Sequence, residues 1–91
     1  MNCSVGDNVL MYNGGNVSDD CKIDNHTIVS PGVQIAGHTV IGNCCQLGIG
    51  TIVIDNITIC SKTITGGGAV VVKDIDAPGL YLGCPAKRIQ R

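Results

Sequence analysis

The stretch VSDDCKIDNH, residues 17–26, sets two adjacent carboxylates, Asp19 and Asp20, beside the Cys21 thiol, with His26 close behind. A carboxylate next to an imidazole can do acid–base work, one group moving a proton while the other orients it. The second of the chain's two histidines, His38, follows Gly37 and stands eighteen residues after Asp20. The same residue types also make solvent-exposed turns. Which role applies depends on the elements that carry them.

Those elements come from a repeat. Stepping by six from Val5 gives Met11, Val17, Ile23, Val29, Ile35, Ile41, Leu47, Val53, Ile59, Thr65 and Val71, all apolar except Thr65. Four residues after each comes a small or β-branched residue, among them Cys21, Thr27, Val33, Thr39, Cys45 and Thr51. The positions between are mostly Gly, Asp, Asn, His, Ser and Lys. A period of six fits neither a helix nor simple strand alternation. It fits short strands that each end in a corner, the pattern of a parallel β-helix. Gly14, Gly32, Gly50 and Gly68 recur every eighteen residues, so three hexads make one triangular coil, and that corner needs a positive φ or close backbone contact. Residues eighteen apart then stack one strand spacing apart, about 4.8 Å.

The reading is therefore an all-β chain forming a single domain over residues 1–91. It has about four triangular coils over residues 5–76 and a short C-terminal tail, residues 77–91, that leaves or caps the prism. Open solenoid ends expose unpaired strand edges, and the first hexad begins almost at Met1. A partner or a further segment is expected over that end. On this geometry Asp20, His38, Asn56 and Asp74 form one column. His26 falls at a different corner, as a surface turn residue.

Composition narrows the partners. The chain has two tyrosines and no tryptophan or phenylalanine, so Val, Ile and small residues must fill a narrow interior. A net charge of −1 gives no electrostatic reason for nucleic acid or an anionic membrane as partner. The apolar runs are too short to span a bilayer, and a cytoplasmic location is expected. Six cysteines without a CxxC spacing read as reduced thiols used as small hydrophobes. No metal site is expected, and a three-histidine zinc centre is beyond a chain with two histidines.

Near the end, GGGAVVVKDI, residues 66–75, precedes GCPAKRI, residues 83–89. With the unbroken hexads, these segments resemble the bacterial hexapeptide-repeat acyltransferases. The likeness is to the branch of sialic acid O-acetyltransferases and nucleotide-sugar N-acetyltransferases, and it covers residues 5–88. The resemblance implies a left-handed parallel β-helix, against the usual right-handed crossover preference. It also implies a homotrimer with active sites between neighbouring prisms, acetyl-CoA as co-substrate, and acetyl transfer to an amine or hydroxyl of a sugar-like acceptor. The acetyl-CoA positions it assigns are Gly37, Ile49 and Gly67. Gly83, Pro85, Ala86 and Lys87 would lie towards the nucleotide, where Lys87, Arg88 and Arg91 either meet phosphates or form a solvated tail.

The departures from that family bear on catalysis. In that branch a Rossmann-type sugar-binding domain precedes the β-helix, and these 91 residues do not include one. The family's base histidine aligns with Asp19, and its acceptor-side histidine with Ile28. An aspartate starts about 2.6 units less basic than a histidine. Three catalytic candidates follow: Asp19 as a weaker base, and His38 as a substitute base or acceptor ligand oriented by Asp20. The alternative is a β-helix that keeps trimer and CoA binding, or only a structural role, and has lost catalysis.

Overall fold

The computed structural model describes residues 3–89. They form a rod of 37 × 22 × 20 Å. The strands fall on three faces. Ser4–Val5 (β1), Lys22–Ile23 (β4), Val40–Ile41 (β7) and Thr58–Ile59 (β10) make face A. Leu10–Met11 (β2), Ile28–Val29 (β5), Gln46–Leu47 (β8), Thr63–Thr65 (β11), Gly79–Leu82 (β13) and Lys87–Arg88 (β14) make face B. Asn16–Val17 (β3), Gln34–Ile35 (β6), Ile52–Val53 (β9) and Val70–Val71 (β12) make face C. Register is parallel at eighteen residues, as in Ser4↔Lys22↔Val40 and Asn16↔Gln34↔Ile52. The result is a left-handed parallel β-helix of about four turns.

Side-chain alternation explains why two-residue strands suffice. From β4 to β12 the second residue of each two-residue strand points inward, and Ile23, Val29, Ile35, Ile41, Leu47, Val53, Ile59 and Val71 are all buried. In the first described coil the equivalent Val5 and Met11 are 50% and 48% exposed, because no coil among the described residues lies beneath them.

The second inward series does more than fill space. Thr27 and Thr39 donate their hydroxyls to the carbonyls of Gly42 and Ile54, and Cys21 and Cys45 donate their thiols to Ala36 and Cys60. Each donor satisfies a corner carbonyl one coil further on, and a buried acceptor left unpaired would be costly. Thr and Cys are therefore chosen for a donor as well as for size. The cysteines are free thiols, but only Cys21 and Cys45 are buried; Cys44 and Cys84 are exposed. Thr65, the polar exception among the aliphatic positions, is buried. It shares a hydrogen bond of 2.8 Å with the Thr51 hydroxyl and accepts one of 3.1 Å from the Gly48 amide.

Every corner turns the same way. From Asn8 to Gly68 the second turn residue of each corner has φ between +55° and +81°. Only the corner between faces B and C is glycine throughout. The other two use Asn8, His26, Cys44 and Lys62, or Asp20, His38 and Asn56. Asn, Asp and His are the side chains that best tolerate this left-handed conformation.

The eighteen-residue register ends before residue 76. Ile59 bridges Ile75, and Thr63 pairs with Gly79, so the last coil is closed sixteen residues on. The shortened corner takes Asp74 out of the expected column above Asn56. Its carboxylate instead accepts the Thr58 amide at 2.8 Å, replacing the strand carbonyl that elsewhere fills that place. The tail then stays on the prism. β13 extends face B in parallel, and β14 turns back antiparallel along it.

Two stability outcomes follow. Thr65→Val, which restores the aliphatic pattern, should lower stability by about 1 kcal/mol in urea unfolding; equal or greater stability would show that the Thr51–Thr65 bond contributes nothing. Burial pushes the Cys45 thiol up from its ordinary value of 9.0, against the lowering effect of the Thr63 backbone. Stability from the protonated thiol is then complete below pH 9.0 and lost as pH rises through the higher folded value. Cys45→Thr keeps a donor at this position and should lose less melting temperature than the parent chain between pH 8 and pH 10.5, a range of roughly two to three units chosen to bracket the thiol.

Candidate functional site

The corner between faces C and A carries the residues the sequence singles out. Its first turn position stacks Asp19, Gly37 and Asp55; its second stacks Asp20, His38 and Asn56. Backbone bonds fix the order. The His38 amide donates to the Asp19 carbonyl at 3.1 Å, and the Asn56 amide to the Gly37 carbonyl at 3.0 Å. His38 Nδ1 lies 3.8 Å from Asp20 Oδ2, with the two side chains 63% and 45% exposed. The stacking of Asp20 under His38 is thus present, at ion-pair distance and open to solvent. A carboxylate so placed can orient an imidazole, but an exposed pair of this kind is weak.

Asp19 belongs to a different surface from Asp20. With Asn16, Ser18, Gln34, Ala36, Ile52, Ile54 and Asp55 it lines a shallow groove of about 790 Å³ along face C. Asp55 is the groove residue that the sequence reading overlooked. The signal was available, since it stands two coils above Asp19 with Gly37 between them.

The three positions assigned to acetyl-CoA do not share an edge. Gly37 is on the corner between faces C and A. Ile49 and Gly67 stack on the corner between faces B and C, where the Gly68 amide donates to the Ile49 carbonyl at 2.7 Å. Ile49 is 66% exposed, and Gly67 above it leaves bare backbone. Ile28 sits half-buried on face B, opposite the corner that carries Asp19. One prism therefore spreads these positions around its circumference.

The GCPAK segment is tied to the upper edge of face C. The Val70 amide donates to the Gly83 carbonyl at 3.0 Å, and the Ala86 amide returns to the Val70 carbonyl at 2.8 Å. Lys87 lines a second hollow, of about 250 Å³, with Val72, Lys73, Asp74, Asp76, Tyr81 and Pro85. Arg88 is exposed and its side chain packs over Gly79. Arg91 lies outside the described residues. His26, as the sequence suggests, is an exposed corner residue, between faces A and B.

The six-residue repeat and the left-handed prism define the class: the chain is a left-handed parallel β-helix similar to those of the hexapeptide-repeat acyltransferases. Among relatives, it is 35% identical over 82 residues to a UDP-3-O-acylglucosamine N-acyltransferase of Bordetella avium. That match covers 90% of this chain and 23% of the relative, so the chain spans about a quarter of the relative's length. Among solved structures, the acetyltransferase domain of PglB from Neisseria gonorrhoeae, in complex with acetyl coenzyme A, matches with a TM-score of 0.89 and 31% identity, covering 96% of this chain and 45% of that one. A perosamine N-acetyltransferase from Caulobacter crescentus, in complex with CoA and GDP-perosamine, matches with a TM-score of 0.76 and 27% identity, covering 98% and 51%. No protein-family model matches the chain.

The corner geometry yields a test that separates backbone from chemistry at His38. With φ at +59°, His38→Asn should keep stability within about 0.5 kcal/mol, whereas a β-branched His38→Val should cost about 1–2 kcal/mol. Equal melting of the two variants would show that the corner places no demand on this side chain.

Proposed function

We propose that the chain carries out acyl transfer from an acyl-CoA, with acetyl-CoA as donor and an amine or hydroxyl of a sugar-like molecule as acceptor. This is the chemistry of the nucleotide-sugar N-acetyltransferase and sialic acid O-acetyltransferase branch. The observation that carries the reading is the likeness, over nearly the whole chain, to a domain bound to acetyl coenzyme A. The fixed GCPAK segment and the bare backbone at Gly67 support it, since a thioester and its pantetheine arm need close approach to the main chain.

The distribution of positions supports a homotrimer. Asp19 and Gly37 on one corner, Ile49 and Gly67 on another, and Ile28 on the opposite face can join one site only where neighbouring prisms meet. In that cleft Asp19 is the base, or His38 substitutes for it with Asp20 orienting the ring. The nucleophile loses its proton as it attacks the thioester carbonyl, the carbon–sulfur bond breaks, and the CoA thiolate leaves to be protonated. Asp19 is exposed on the single chain, so the dry surroundings an aspartate base requires would come from the neighbouring prism. In this reading Lys87 and Arg88 either meet the donor's phosphates or remain a solvated tail. A cytoplasmic setting accompanies an acyl-CoA donor.

A second reading has its own observation. Asp20 and His38 hold positions that the left-handed corner alone explains, and Asp19 stands where the family places its histidine. A trimer that binds CoA without turnover fits those facts.

Titration calorimetry with acetyl-CoA, then an acceptor screen reading CoA release, decides between them. The first reading expects binding and turnover, with His38→Asn reducing kcat by roughly tenfold or more if His38 is the base, and Asp19→His raising it. Binding without turnover supports the second reading. Absence of acetyl-CoA binding would sink both CoA-dependent readings.

A further inference from the structure

Face C presents no charge between its two edges. Its outward side chains form two columns in the eighteen-residue register: Asn16, Gln34, Ile52 and Val70, and beside them Ser18, Ala36, Ile54 and Val72. Neither column holds an ionisable group. The lower coils are polar, whereas the upper half is wholly aliphatic, with Ile52, Ile54 and Val72 43%, 37% and 39% exposed. Face A, by contrast, carries Lys22 and Asp24, and face B carries Lys87 and Arg88 on β14. An aliphatic strip rimmed by polar groups marks a surface that another molecule covers.

Two observations make the occupant a further copy of this chain. Face C alone is bounded by both corners that carry the site positions, Asp19 and Gly37 on one edge, Ile49 and Gly67 on the other. Copies that turn face C towards a common axis bring one edge of each against the opposite edge of the next. Size agrees as well. The rod is 37 Å long and 20 Å across its narrow side, so one long face is comparable with the about 800 Å² that each partner of a stable complex buries.

We infer that face C turns towards the threefold axis of the homotrimer, where Ile52, Ile54, Val70 and Val72 of three copies form the contact. This rests on the homotrimer of the reading above and deepens it by naming the face. The shallow groove on face C is then filled by neighbouring copies, and ligands enter along the edges where two prisms meet.

Analytical ultracentrifugation of the full chain tests this without requiring turnover. The parent should sediment as a trimer. Ile54→Lys sets three ammonium groups near the axis and should raise the dissociation constant at least about 100-fold, because like charges at an interface oppose one another. Ile64→Lys, at a position 42% exposed on face B, should leave the trimer intact. Circular dichroism checks that both variants fold. Should Ile54→Lys not fold, Ile54→Cys treated with a short bismaleimide decides, the expected product being a peptide pair that joins position 54 of two copies. A folded Ile54→Lys that stays trimeric, a trimer lost equally in Ile64→Lys, or absence of the 54–54 link in a trimeric Ile54→Cys overturns the inference alone. A parent chain that is not a trimer overturns the homotrimer itself, and this inference with it.

Discussion

The structure depends on one constraint: each coil before the shortened last one must return to the same place after eighteen residues. Backbone amides of each coil donate to carbonyls of the next, as Lys22 does to Thr39 and Val40 to Ile57. This is possible only if all three corners turn through the same angle. The left-handed residue at each corner delivers that angle, and it explains the choice of Asn, Asp, His and Gly there. The inward aliphatic column is then the consequence of a fixed register, with Ile23, Ile41 and Ile59 stacked in a single file along face A.

The same constraint orders the surface. Because side chains eighteen apart must stack, a groove or charge pattern on this fold is a set of columns, and its chemistry changes along the axis instead of across a pocket. Face C illustrates the point. Its polar groups Asn16, Asp19 and Gln34 belong to the early coils, Ile52 and Ile54 follow, and Lys73 comes just past β12, where the last coil shortens and Lys87 of the folded-back tail on face B lines the same hollow. Closing that coil at sixteen residues allows β13 and the Gly83–Ala86 backbone to continue the faces that β11 and β12 would otherwise leave unpaired.

Much of this was legible in the chain. The six- and eighteen-residue periods located the faces, the inward residues and the stacking of Asp20 beneath His38. Gly14 and its successors marked a positive φ, although the other two corners share that conformation without glycine. What the periods hid was hydrogen-bond use. The period marks Thr and Cys only as small, and their role as donors to the next coil's carbonyls needs the third dimension. The shortened last corner was hidden because Ile75 falls where the regular repeat also asks for an apolar residue. The period therefore assigns Asp74 to a column it does not join. Asp55 was missed for a related reason, since a groove two coils deep pairs residues that no local motif connects.

The corner rule also changes how candidate catalytic residues are weighed. His38 and Asp20 occupy positions where backbone conformation alone favours their residue types, so their presence is weak testimony for chemistry. Asp19 and Asp55 sit one position earlier, where no positive φ restricts the choice, and both open onto the face C groove. A side chain unconstrained by the turn and directed at a concave surface carries more functional information than one the turn requires. On that ground the carboxylates at the first corner position, more than the imidazole at the second, are the groups around which the chemistry of this prism should be sought.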